Sequence, residues 1–185
     1  AFEDVPITSI QFNMTDDMYW IDDYAFYGTN LTGELVLPDG LGPIGQVAFY
    51  GSNISKVIFP KTYGNDTDYP ACLWTNTFGG DEGLSEIVFQ NATPIELFYN
   101  KFTEYTFGDM ASEDFHITLS GAAKGLEQKY IDAWKYRFIA CEDNDPSVNE
   151  EKLNQSVKKI AGLLGYTLPE TGTQPGDNQE VVPDV

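Results

Sequence analysis

The tetrapeptide AFYG stands at Ala25–Gly28 and again at Ala48–Gly51. The match extends outward. IDDYAFYGTNLTGELVLP from Ile21 and IGQVAFYGSNISKVIFP from Ile44 share an isoleucine five residues before the phenylalanine and a glycine two residues after it. An Asn, a Ser or Thr, a short apolar run and a proline follow in both. LWTNTFGGDEGLSEIVFQ from Leu73 keeps the five-residue step to Phe78 and returns the glycine and the apolar run as Gly80 and Ile87-Val88-Phe89. ITSIQF (Ile7–Phe12) reads as the end of an earlier copy, and FHITLS (Phe115–Ser120) as the end of a later one. The insertions TYGNDTDYPAC and NKFTEYTFGDMASED lengthen the second and fourth units. Self-similarity at a period of roughly 20 to 50 residues marks a stacked-repeat architecture, in which no single unit buries its own apolar face.

Each apolar run is short, β-branched and alternating, which predicts strands at Thr8–Phe12, Glu34–Leu37, Lys56–Phe59, Glu86–Phe89 and His116–Leu119. One strand per unit at a similar phase implies a parallel sheet built by winding. Because successive side chains point to opposite faces, Ile10 and Phe12, Leu35 and Leu37, Val57 and Phe59, Ile87 and Phe89, and Ile117 and Leu119 are expected inside. The outward positions form two rows: Ser9, Glu34, Lys56, Glu86 and His116, and beside it Gln11, Val36, Ile58, Val88 and Thr118. Phe26, Phe49 and Phe78 are expected to stack as a spine on the other side of the coil, and the glycine of AFYG to allow the turn back to the sheet.

IDDYAFYGTNLTGELVLP and IGQVAFYGSNISKVIFP resemble leucine-rich repeats of the BspA-like type, with the pattern I-G-x-x-A-F-x-G-C-x-x-L-x-x-I-x-I-P. The resemblance runs from about Ile7 to Arg137. It departs from the pattern at Thr29 and Ser52, which replace the Cys after Gly, and at the two insertions. It implies an α/β solenoid: a right-handed coil with a parallel sheet on one face, loops and short helices on the other, and a C-terminal helical cap. GLEQKYIDAWKYRF fits that cap, with Tyr130 and Trp134 as i,i+4 neighbours. The family serves on secreted and surface proteins of bacteria and some protists, usually for binding.

Three segments are expected: a repeat domain with its end cap over 1–140, a C-terminal helix over 141–166 and a Pro/Gly-rich acidic tail over 167–185. Asp145-Pro146-Ser147 reads as the helix start, Leu153, Val157, Ile160 and Leu164 as its apolar face, and Gly165 as its end. The tail begins with LPETG, formed by Leu168, Pro169, Glu170, Thr171 and Gly172, which matches the L-P-x-T-G motif of Gram-positive sortases. In those proteins cleavage falls between the residues equivalent to Thr171 and Gly172. A working signal also carries an apolar segment and a basic end after the motif, whereas GTQPGDNQEVVPDV is polar and acidic. A Pro- and Thr-rich tail also produces such matches by accident.

The net charge is −19 and the sequence pI is about 4.1, which disfavours nucleic acid and anionic membranes as partners. Cys72 and Cys141 allow one bridge and no disulfide framework. The chain has no apolar run approaching a membrane span and opens without a signal-peptide pattern, as a cytosolic protein or the trimmed form of an exported one would. No cofactor or metal is expected. His116 is the sole histidine, and no nucleophile motif or metal-ligand spacing accompanies it. EDNDPSVNEE lacks the central glycine and alternating ligands of a calcium loop. N-x-S/T triplets start at Asn13, Asn30, Asn53, Asn65, Asn91 and Asn154, and would be glycosylation sites in a eukaryotic secreted protein.

These readings favour a non-enzymatic protein, extracellular or at the cell surface, that binds a protein or a glycan. The candidate binding residues are Glu34, Val36, Lys56, Ile58, Glu86, Val88 and His116. An exposed Val-Ile-Val ladder beside charges is what a binding surface looks like, and β-branched residues also simply suit strands. The aromatics Tyr63, Tyr69, Trp74, Tyr99 and Tyr105 in the insertions either extend that surface or pack. The alternatives are a repeat or spacer module of a larger surface protein, and a hydrolase using surface carboxylates, for which no motif speaks.

Overall fold

A computed structural model of the chain describes residues 1–13, 20–63, 72–73, 76–80, 83–97, 114–136 and 149–169. Their elements are β1 (Thr32–Val36), β2 (Asn53–Phe59), β3 (Cys72–Leu73), β4 (Glu86–Phe89), β5 (Glu96–Leu97), β6 (His116–Leu119), a 3-10 turn (Gly121–Ala123), α1 (Glu127–Trp134) and α2 (Glu150–Leu163). β1, β2, β4 and β6 form one parallel sheet in that order, and β3 pairs β5 in a second. A register shift between Gly33 and Glu34 brings Glu34 opposite Lys56, and Lys56 then opposes Glu86, which opposes His116.

The expected inward residues Leu35, Leu37, Val57, Phe59, Ile87, Phe89 and Ile117 are buried. Behind them runs the phenylalanine column. Phe26 and Phe49 stack at 5.1 Å and 7°, and Phe49 and Phe78 at 5.4 Å and 8°. Backbone rungs lock the column: Phe26 N–H donates to Ala48 O at 2.8 Å and Phe49 N–H to Thr77 O at 2.8 Å. Gly28, Gly51 and Gly80 hold φ of 65°, 72° and 66°, where a Cβ is disfavoured, so each AFYG-type unit closes on a left-handed glycine. Thr29 and Ser52 are buried where the repeat pattern has Cys, and Thr29 Oγ1 donates to Phe26 O at 2.9 Å, which satisfies its hydroxyl.

Several expectations change. Thr8–Phe12 is not a strand: Thr32 N–H donates to Thr8 O at 3.3 Å, but the segment forms no ladder, and Ile10 and Phe12 are only half-buried. Among the described residues it has one neighbouring coil, that of β1. β1 and β2 begin earlier than expected and β1 ends at Val36, because pairing extends back to Thr32 and Asn53. The second sheet was not foreseen. Ile21 bridges Ile44, Ile44 bridges Leu73, and Leu73 pairs Leu97, so the residue that opens each repeat makes its own parallel line. Leu97 precedes Phe102 by the same five residues as Leu73 precedes Phe78, a further copy written in the sequence. The chain start is another: AFED (Ala1–Asp4) occupies the place of AFYG. Phe2 stacks on Phe26 at 5.6 Å and 12°, Phe2 N–H donates to Ala25 O at 2.6 Å, and Asp4 takes the left-handed φ of 56°.

At the other end α1 closes the core. Tyr130 and Trp134 are buried and meet edge-on at 5.0 Å. Tyr130 Oη donates to Asn91 O at 2.8 Å and Trp134 Nε1 to Ile95 O at 2.9 Å, so each polar handle is satisfied while its ring packs near Phe89. α2 packs against α1 and β6. Its N-cap is Asn149, four residues after Asp145 of the expected start, and the Asn149 Oδ1 accepts from Lys152 N–H at 2.8 Å. Asp145-Pro146-Ser147 lies outside the described residues. Leu153, Val157 and Leu164 are half-buried and Ile160 is buried. Gly165 at φ 60° ends the helix, with Tyr166 N–H donating to Ala161 O and Gly165 N–H to Gly162 O.

Candidate binding face

The outer face of the four-stranded sheet carries the two predicted rows in register except for their first members, Ser9 and Gln11, which lie on the segment that forms no strand. Across it run Glu34, Lys56, Glu86 and His116, and next to them Val36, Ile58, Val88 and Thr118. Parallel pairing sets such neighbours about 4.8 Å apart, so the charges interact. Lys56 Nζ lies 3.0 Å from Glu86 Oε2 and 3.9 Å from Glu34 Oε2. Thr118 Oγ1 donates to Glu86 Oε1 at 2.6 Å. Glu86 is therefore the hub of the row. The Thr118 hydroxyl and the Lys56 ammonium hold its carboxyl below the ordinary glutamate value, against an opposing effect of partial burial.

His116 is exposed and bonds through Nδ1 to Asp114 O at 3.0 Å. A carbonyl only accepts, so Nδ1 carries the proton. Nε2 is then left 3.8 Å from Glu86 Oε1, too far for a hydrogen bond and near enough for attraction when the ring is charged. Among the described residues no group of three or more His, Cys, Asp or Glu could hold a metal ion.

The apolar row departs from expectation at one position. Val36 is 55% exposed and Ile58 is half-buried, but Val88 is only 6% exposed. Val36 sits on the edge strand with one neighbour, whereas Val88 lies between Ile58 and Thr118 and is screened from both sides. The exposed apolar surface is therefore narrower than a Val-Ile-Val ladder and centres on Val36 and Ile58. Tyr63, one of the insertion aromatics, is buried at 1% and belongs to the core. Tyr69, Trp74, Tyr99 and Tyr105, like Cys141 and the acidic run 142–148, lie outside the described residues.

Of the LPETG motif, Leu168 is half-buried and packs on the core, Pro169 is exposed, and Glu170, Thr171 and Gly172 lie outside the described residues. Among the N-x-S/T triplets, Asn13, Asn30, Asn53 and Asn154 are exposed, while Asn91 is fully buried with its Nδ2 donating to Tyr63 O. No helix among the described residues is long and apolar enough to cross a membrane.

A family model described as "BspA type Leucine rich repeat region" matches residues 1–118 in 6 copies. No curated protein and no solved structure matches the chain.

Proposed function

The chain belongs to the BspA-type leucine-rich repeat family, and from that membership we propose that it is a non-catalytic recognition protein. In this reading it works outside the cell or at its surface and binds a protein or a glycan through the outer face of the sheet. Repeats of this family imply a solenoid-like fold, generally without enzymatic activity and typically on bacterial surface or secreted proteins. The right-handed coil is the winding that parallel crossovers favour.

The observation that carries the proposal is the register of the outer face. It sets a polar row, Glu34, Lys56, Glu86 and His116, directly beside the exposed Val36 and the half-buried Ile58. Apolar contact at the centre with charges at its rim is the anatomy of a recognition patch. The charges fix the partner's orientation, and the apolar pair supplies the desolvated contact. The proposal extends to sortase joining of the protein to a cell wall by cleavage between Thr171 and Gly172, a part of the reading that rests on the LPETG match alone, since the segment after it is polar and acidic.

A photo-crosslinking residue introduced at Val36, and at Gln155 on α2 as control, tests the assignment in the source organism's own culture. The expected result is one defined adduct from position 36, lost in the Ile58→Asp variant whose circular dichroism is unchanged. Equal adducts from positions 36 and 155, or an adduct indifferent to Ile58→Asp, overturn it.

A further inference from the structure

The tyrosine of AFYG belongs to neither the sheet nor the buried column. Tyr27 and Tyr50 lie in the turns and stack on one another at 5.4 Å and 8°, half-buried. Tyr24 tilts against Tyr27 at 5.7 Å and 50°. Trp20 stands close by in sequence, its Nε1 donating to Asp22 Oδ1 at 2.6 Å. Trp20 and Tyr24 are 52% and 46% exposed, among the most exposed large apolar side chains of the described residues.

Tyr24 takes the left-handed backbone conformation that recurs at this position of the repeat. Its φ is 58°, and its counterparts are Val47 in the second repeat, at φ 51°, and Asn76 in the third, at φ 55°, the last a residue that takes the left-handed region at low cost. Folding by itself favours Asn or Gly there. Val47 holds the same conformation while buried, so it is exposure that sets Tyr24 apart: it is 46% exposed where the equivalent residue of the second repeat is sunk in the core.

The charged side chains of the stretch that builds this edge are all acidic. The first basic residue in the chain is Lys56, so residues 1–55 hold no Lys or Arg. Asp22 and Asp23 immediately precede Tyr24. Asp22 accepts from Trp20, and Asp23 Oδ1 accepts from Gln46 N–H at 2.7 Å. Each carboxylate has further lone pairs to offer, and neither has a Lys or Arg partner among the described residues.

We propose that this edge, formed by Trp20, Asp22, Asp23 and Tyr24 and backed by Tyr27 and Tyr50, docks an arginine-rich segment of a partner protein. A guanidinium is planar and weakly hydrated. It lies on an aromatic face while its fork of N–H groups meets a carboxylate, which an ammonium on a flexible stem does less well. This surface is made of turn residues and is distinct from the sheet face, so the two readings stand or fall separately.

The test measures binding of a fluorescent nine-residue arginine peptide to the full chain at near-physiological ionic strength, about 0.15 M. Tyr24→Asn and Trp20→Ala are each expected to weaken binding about tenfold, and the pair Asp22→Asn with Asp23→Asn by about as much. The nine-residue lysine peptide is expected to bind about tenfold more weakly than the arginine peptide. Glu150→Gln with Glu151→Gln removes the same charge from α2 and is expected to change binding less than about twofold. Ile58→Asp on the sheet face is expected to leave it unchanged. Tyr24→Asn also has a readout of the opposite sign, since it relieves the backbone and raises thermal stability. If the Glu150/Glu151 pair weakens binding as much as the Asp22/Asp23 pair, the attraction is general and the site is refuted. Unchanged affinity in Tyr24→Asn and Trp20→Ala refutes it too. So does a neutral oligosaccharide that binds in a Trp20-dependent way while the arginine peptide does not.

Discussion

Lys56 and Glu86 stand directly opposite one another on adjacent parallel strands, Nζ to Oε2 at 3.0 Å, and Thr118 on the next strand donates to the second carboxylate oxygen at 2.6 Å. One carboxylate thus ties three strands of the sheet together across its outer face. Because the Glu86 pKa is lower in the folded chain than in the unfolded one, the unfolded state binds the extra proton as the pH falls. The stability Glu86 contributes is therefore fully present above the unfolded value near 4.5 and is lost as the pH falls through the lower folded value. Glu86→Gln is expected to cost about 1 kcal/mol at pH 7. The gap between variant and parent should close in acid, read from urea unfolding between about pH 6 and pH 3. A gap that stays constant over that range contradicts the assignment of the hub.

The phenylalanine column supplies a graded series. Phe49 is fully buried between Phe26 and Phe78, so Phe49→Ala should cost about 3–5 kcal/mol. Phe2 is 50% exposed with one stacking partner, so Phe2→Ala should cost about 1 kcal/mol. Denaturant unfolding of both variants gives the comparison, and equal losses would show that the column does not end at Phe2.

Left-handed positions give two substitutions of opposite sign. Gly51 has φ 72°, and a methyl group there would meet open space, with Gly28 Cα the nearest atom at 4.0 Å, so Gly51→Ala tests conformation without a clash. It should destabilise by about 1–2 kcal/mol. Tyr24→Asn, at φ 58°, should stabilise by about 0.5–1 kcal/mol. Calorimetry of the two variants checks both signs.

The α1 cap is held by polar tips as well as by ring packing. Tyr130→Phe removes the donor to Asn91 O while keeping the ring, and should cost about 1 kcal/mol. Trp134→Ala removes a buried ring and the donor to Ile95 O, and should cost about 3–5 kcal/mol. Hydrogen exchange at β4 and β6, the strands nearest the cap, should rise first in Trp134→Ala.

Leu168, the first residue of LPETG, packs on the core three residues after the glycine that ends α2. A sortase must grasp that leucine, so transpeptidation to triglycine should run about tenfold more slowly on the folded chain than on a free peptide of the tail. Mass spectrometry of the product, in which Thr171 is joined to triglycine and residues 172–185 are released, reads the rate. Equal rates would show that the packing of Leu168 offers no protection.

Much of the architecture was written in the sequence because it rests on period. Ile21, Ile44 and Leu73, each five residues before a phenylalanine, are enough to set the repeat, the inward strand residues and the spine. The outer rows followed from alternation and from the register that the repeats impose. What escaped were AFED as a degenerate AFYG, Asn149 as the cap of α2, and the second sheet, whose positions the repeat marks but whose strands are too short to show alternation. Two-residue strands are set by pairing with neighbours, not by local propensity.

The sequence by itself determined that identical positions recur and therefore stack, since only a stack buries a face that each unit leaves apolar. Tertiary structure decided how much of each recurring position reaches water. Val36 and Val88 occupy equivalent positions, yet one is at a sheet edge and exposed and the other is screened between two strands. Tyr24, Val47 and Asn76 share one backbone conformation, yet the first is half in solvent and the second is buried. Exposure depends on what lies on either side, a relation between coils that no single stretch of sequence contains.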